Sequence, residues 1–164
     1  MGRRLDVFVP KWGGLPSSAQ GLREWKWMEE QLACETVKPL ILVAEDDAMA
    51  GELVRDVLEM WGFDTNLARN GEDAVDLWEQ RHYDLILMDI QMPKLDGISA
   101  TSLIRQKEKE RGGHTPIVAF TAFAFGKDRE RCLAAGMDAY LTKPLDFSEG
   151  KRVITALIGR SGTS

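Results

Sequence analysis

The chain reads as an α/β domain, a doubly wound five-stranded parallel sheet with helices on both faces, and three observations predict it. From Pro39 onward short apolar runs alternate with amphipathic stretches, as consecutive βα units require. Five such cycles fit in 164 residues, which hold one domain of ordinary size and a modest extension. Several apolar runs close on acidic or hydroxylic residues, as expected where a parallel sheet binds ligands at the carboxyl ends of its strands.

Leu40 to Ala44 is unbroken apolar sequence and predicts a buried central strand. A helix from about Met49 to Met60 follows, with Leu53, Val54, Val57, Leu58 and Trp61 at three- and four-residue spacing, and Gly62 ends it. The next strand, Asp64 to Ala68, alternates and predicts a sheet edge. Asn70-Gly71 then turns the chain into a helix carrying Ala74, Val75, Leu77 and Trp78. Asp84 to Met88 is the third strand and terminates at Asp89. Turn signals at Met92-Pro93 and Asp96-Gly97 lead into a helix with Ile98, Leu103 and Ile104, stopped by Gly112-Gly113. Thr115-Pro116 opens a fourth strand through Phe120, and a helix from about Lys127 to Ala135 is capped by Gly136. The fifth strand covers Ala139 to Thr142, Lys143-Pro144 breaks it, and Phe147, Val153, Ile154, Leu157 and Ile158 give the last helix its apolar face.

Residues 1–38 differ in character: Pro10, Gly13, Gly14 and Pro16 read as irregular, and Ser17 to Gln20 has capping-box spacing before a helix with Leu22, Trp25, Met28 or Glu29, and Leu32. The predicted organisation is an extension over 1–38, a domain over 39–160 and a tail over 161–164. Trp12, Trp25 and Trp27 admit two readings, a linker helix packed on the domain or a helix for homodimerisation or docking.

Hydrophobic residues at 44% and charged residues at 29% exclude bulk disorder. A net charge of -5 gives no reason to expect nucleic acid as a partner, and the run Lys107 to Arg111 alternates in sign as a solvated helix face does. Cys34 and Cys132 are far apart and in no metal-binding spacing, so reduced thiols are expected. The basic start is followed by too short an apolar stretch for a signal peptide. No run approaches the roughly 20 residues of a membrane span, and a cytoplasmic location is expected.

The first strand ends on Glu45, Asp46 and Asp47, the third on Asp89, the fourth on Thr121 and the fifth on Lys143. If the first and third strands are neighbours, three or four carboxylates converge on one crevice with a lysine facing them. Carboxylates that close repel, and a divalent cation relieves the repulsion. An all-oxygen set suits Mg2+ and disfavours zinc. Beside such an ion and a lysine, Asp89 is placed to attack phosphorus.

Ile41 to Asp46 (ILVAED), Leu87 to Gly97 (LMDIQMPKLDG), Ile117 to Ala122 (IVAFTA) and Ala134 to Pro144 (AAGMDAYLTKP) resemble, in order and spacing, the motifs of response-regulator receiver domains. The likeness is greatest to the receivers of hybrid sensor histidine kinases and covers roughly Lys38 to Ile158. It implies a flavodoxin-like (βα)5 fold with strand order 2-1-3-4-5, an order that also brings Asp46 to Asp89. Asp89 resembles the phosphoacceptor, Asp46 a direct Mg2+ ligand, Glu45 a ligand acting through water, and Gln91 a ligand through its backbone carbonyl. Lys143 would pair with the phosphoryl oxygens, the Thr121 hydroxyl would swing toward them, Tyr140 would change rotamer with it, and the peptide before Pro144 would be cis.

The implied partners are a histidine kinase or a histidine phosphotransfer protein and an unnamed downstream target, with neither nucleic acid nor membrane. The implied activity is autocatalytic transfer to Asp89 with slow autodephosphorylation, not turnover. Phe123, two residues after Thr121, cannot orient an attacking water, which predicts a long-lived phosphorylated state. Two other readings stand beside this one. A receiver-like interaction module that is never phosphorylated normally lacks one of these acidic residues or the lysine. A Mg2+-dependent aspartyl-phosphate phosphohydrolase needs an aspartate where this chain has Gln91.

Overall fold

The computed structural model describes residues 37–122 and 126–161. Its strands are β1 (Leu40–Ala44), β2 (Asp64–Ala68), β3 (Leu85–Met88), β4 (Ile117–Thr121) and β5 (Ala139–Thr142). The helices that follow them in turn are α1 (Ala48–Met60), α2 (Gly71–Gln80), α3 (Gly97–Arg111), α4 (Gly126–Ala134) and α5 (Phe147–Ser161). All neighbouring strands are parallel, in the predicted order β2-β1-β3-β4-β5.

Period-two alternation along each central strand sorts its side chains between two cores. Leu42 and Ala44 of β1, Ile86 and Met88 of β3, and Ile117 and Ala119 of β4 pack with Ala74, Val75, Ala100, Ile104 and Cys132 from α2, α3 and α4. Their neighbours Ile41, Val43, Leu85, Leu87, Val118 and Phe120 pack with Val54, Leu58 and Ile154 from α1 and α5. Strands buried on both faces read as continuous apolar runs, which is why β1 and β3 were so plain in the sequence. The second strand is an edge, as its weaker pattern predicts, although its burial rises steadily toward Ala68 and does not alternate.

Asn and Asp set the helix starts by accepting orphan N–H groups of the first turn. Asp47 accepts from Met49 and Ala50 at 2.9 and 3.0 Å, Asn70 from Asp73 at 2.9 Å, and Asp96 from Ser99 at 2.9 Å. Among the described residues no helix is long and apolar enough to cross a membrane, and Cys132 is a buried free thiol.

Candidate functional site at the carboxyl ends of the strands

Strand order reverses between β1 and β3, so the crevice of an open parallel sheet falls at their carboxyl ends. Ala44 pairs with Met88, and the next residues, Glu45 and Asp89, leave the sheet side by side, the Asp89 N–H donating to the Ala44 carbonyl at 2.9 Å. At the β4–β5 pair Thr121 lies opposite Thr142, and the Lys143 N–H donates to the Thr121 carbonyl at 2.8 Å. The Lys143–Pro144 peptide is cis. The Lys143 ammonium donates to Asp89 Oδ2 at 2.7 Å and to Glu45 Oε2, and lies 5.3 Å from the centre of the Phe120 ring.

Of the acidic residues at the end of the first strand, the structure brings Glu45 and Asp46 to Asp89. Their carboxylate oxygens lie within 4.8 Å of one another. Asp47 turns away and caps α1. Glu45 and Asp89 are buried and Asp46 is exposed. Burial pushes the Glu45 carboxyl above its ordinary range and the Asp89 charge adds to that, while the Lys143 contact and the Asp47 N–H oppose it. Burial alone would lower Lys143, but its bonds to Asp89 and Glu45 outweigh burial and raise it, so the ammonium stays charged. Two carboxylates share that one cation while a third stands open to solvent. Such an oxygen-only donor set with surplus negative charge fits a hard divalent cation.

Thr121 is buried at the end of β4, and Tyr140, half-buried in β5, packs against the core shared by α2, α3 and α4. Asp46, Gln91, Met92, Asp96, Thr121 and Arg131 line a crevice of about 540 Å³ beside Asp89. The Gln91 N–H donates to Asp89 Oδ1 at 3.2 Å. Phe123, Cys34 and the tryptophans Trp12, Trp25 and Trp27 lie outside the described residues.

Gly97 belongs to the site for a reason that sequence reasoning missed. A Cβ there would stand 2.0 Å from the Asp89 carbonyl oxygen, so α3 can begin against the Asp89 backbone only with glycine at this position. The signal in the sequence was Asp96-Gly97, legible as a turn and silent about what the glycine touches.

Comparison with known proteins agrees with this geometry. The family model for the response regulator receiver domain matches residues 41–155. The chain is 45% identical over 111 residues to hybrid signal transduction histidine kinase I of Dictyostelium discoideum; the match covers 65% of this chain but 6% of the kinase. It is 37% identical over 119 residues to the polar-differentiation response regulator DivK of Brucella ovis, covering 73% of this chain and 95% of that protein. Among solved structures, the receiver domain of a Pseudomonas aeruginosa sensor histidine kinase, with a magnesium ion in its active-site cleft, is 41% identical at TM-score 0.68, covering 75% of this chain and 99% of that one. The receiver of the Saccharomyces cerevisiae response regulator Ssk1, crystallised with the histidine phosphotransfer protein Ypd1, is 32% identical at TM-score 0.70, covering 76% and 92%. Fold, acidic crevice and sequence likeness together place this chain among the response-regulator receiver domains of two-component signalling.

Proposed function

We propose that this receiver is a working phosphoacceptor, taking a phosphoryl group from a phosphohistidine onto Asp89 in a Mg2+-dependent reaction. The observation that carries the reading is the meeting of Glu45, Asp46 and Asp89 within 4.8 Å, with the Lys143 ammonium on two of them. Asp46 and Asp89 would hold Mg2+ directly, Glu45 through water and Gln91 through its backbone carbonyl. When bound, the ion neutralises charge on the transferred phosphoryl oxygens.

A carboxylate oxygen of Asp89 attacks phosphorus, the donor's P–N bond breaks, and its electron pair returns to the imidazole ring. Lys143, kept charged by its two carboxylates, exchanges one of those bonds for a phosphoryl oxygen and so stays paired throughout. The Thr121 hydroxyl turns toward the new acyl phosphate and Tyr140 follows, which biases a two-state surface at β4 and β5. The domain is then a substrate that catalyses its own modification, and Phe123 leaves no side chain to speed hydrolysis.

A protein-borne phosphohistidine must reach a crevice beside α1, whose start is fixed to the site by Asp47. Met49 and Leu53, one turn apart on α1, are 82% and 65% exposed, apolar surface suited to a helical kinase or phosphotransfer partner. We take 39–160 as the receiver, 1–38 as an N-terminal extension that serves either as a linker or for homodimerisation or docking, and 161–164 as a tail, in a cytoplasmic protein.

The test is intact-mass analysis after incubation with acetyl phosphate. One phosphoryl group is expected on the wild type with Mg2+, none with EDTA, and none on Asp89→Asn. A wild type that stays unmodified in Mg2+ leaves only the interaction-module reading, whereas continuous release of phosphate from small phosphomonoesters, lost in Asp89→Asn, marks a phosphohydrolase.

A further inference from the structure

The segment between β3 and α3 carries Asp89 and Gln91 and ends at Asp96, so its path decides where the crevice's oxygen atoms stand. It is held from outside its own βα unit. The Gly71 N–H at the start of α2 donates to the Leu95 carbonyl at 3.0 Å. This is one of the orphan donors of a helix N-terminus, and here it finds its acceptor in another loop. A Cβ on Gly71 would lie 2.3 Å from the Leu95 carbonyl oxygen, 2.9 Å from its carbonyl carbon and 3.0 Å from its Cβ. The first two are backbone atoms, so no rotamer change relieves the clash.

The surroundings give the loop little room to yield. Leu95 N–H donates to the Pro93 carbonyl at 2.8 Å, Gly97 N–H to the Ile90 carbonyl at 3.0 Å, and Lys94 is fixed at a φ of 64°. The Gly71 end is equally fixed. Asn70 is buried, its side chain accepting from the Asp73 N–H at 2.9 Å and donating to Asp73 Oδ2 at 2.8 Å. Displacing the Leu95 carbonyl therefore pushes on a short tight loop with Asp89 and Gln91 at its far end.

We propose that Gly71 is a positioning residue for the phosphoacceptor site: its N–H and its missing side chain set the height of the loop that presents the Gln91 carbonyl and Asp89 to the cation. The proposal rests on the Mg2+ reading above and is tested by binding of Mg2+ itself, so that failure of phosphotransfer is a separate result.

Mg2+ affinity is measured by titration calorimetry on the full chain, alongside urea unfolding in EDTA. In Gly71→Ala the affinity should fall roughly tenfold or more, the usual consequence of misplacing the groups that orient a metal's ligands. Val75→Ala, which destabilises the same helix from its core face and leaves Asn70 and Gly71 in place, serves as the stability control and should bind within twofold of the wild type. An unshifted Gly71→Ala, or equal losses in both variants, overturns the proposal. Should Gly71→Ala not fold, hydrogen exchange at the wild-type Gly71 amide decides. Slower exchange on addition of Mg2+ supports the coupling, and an unchanged rate removes it. A wild type that binds Mg2+ and takes no phosphoryl group sinks the functional reading alone, and one that binds no Mg2+ sinks both.

Discussion

The two ends of the sheet solve the problem of buried charge in opposite ways. At the amino ends of β4 and β5, Arg105 reaches from α3 and uses its whole guanidinium. It donates to the Gly136 carbonyl at 2.8 Å, to Glu108 and the Thr115 carbonyl at 2.6 and 2.9 Å, and to Asp138 at 2.8 Å. The carboxylates it serves are completed by backbone: Glu108 accepts from the Thr115 N–H at 2.6 Å and Asp138 from the Ile117 N–H at 2.9 Å. At the carboxyl ends Glu45 and Asp89 share the ammonium of Lys143, and Asp46 stands beside them open to solvent. One end closes its hydrogen bonding internally and binds the fold together. The other leaves acid in surplus, and surplus charge at a strand end marks the place where a ligand completes the structure.

Removing the charge at the closed end should have the largest effect on stability. Arg105→Ala strands Glu108, which is buried, and Asp138 without their cation. The expected loss is about 3–5 kcal/mol in urea unfolding without Mg2+. Mg2+ affinity of the folded fraction should stay within twofold. A loss under about 1 kcal/mol would break the comparison, since the network would then be surface decoration.

At the open end the same kind of change should have the opposite sign. Burial chiefly, and the Asp89 charge after it, raise the Glu45 carboxyl. A raised carboxyl contributes stability below its unfolded value and loses it as pH rises through the folded one, so at neutral pH its ionisation works against the fold. Glu45→Gln keeps the shape, leaves Lys143 paired with Asp89, and should raise the urea midpoint of the Mg2+-free protein. Under the proposed reading, Mg2+ should reverse the order. A hundredfold excess over Kd adds about 2.7 kcal/mol to the wild type, and the same concentration adds less to the amide. Should Glu45→Gln be the less stable protein in EDTA, Lys143 alone balances the site and the surplus is fictitious.

The open end was far more legible in the sequence than the closed one. Glu45, Asp46, Asp89, Thr121 and Lys143 announced themselves because each follows an apolar strand, and a parallel sheet delivers every strand end to one crevice. Asp47 stood in the same run and proved to be a cap, a choice decided by which way the chain turns into α1. Arg105, Glu108 and His114 sit in a stretch that reads as a solvated helix and its exit, and nothing in the spacing says that Asp138 will come to meet them. Gly71 and Gly97 were visible as turn residues. Their task is set by a carbonyl from another segment, and such contacts leave no periodicity to read.

Asp96 sharpens the comparison with the smallest effect, because it stands at the open end and behaves like a residue of the closed one. Burial would push its carboxyl up, but the Ser99 N–H at 2.9 Å and the Ser99 hydroxyl at 2.7 Å hold it below the ordinary range. A depressed carboxyl contributes stability above its unfolded value and loses it as pH falls through the folded one. Asp96→Ala removes the cap of α3 and should cost about 1 kcal/mol at neutral pH, a gap that closes as the wild type is taken below the carboxylate range. Urea unfolding of both proteins across that range is the check. A gap that persists undiminished in acid means that packing, and not the ionised cap, sets the contribution of Asp96. A gap that closes shows that satisfied partners decide what a carboxylate does, whichever end of the sheet it occupies.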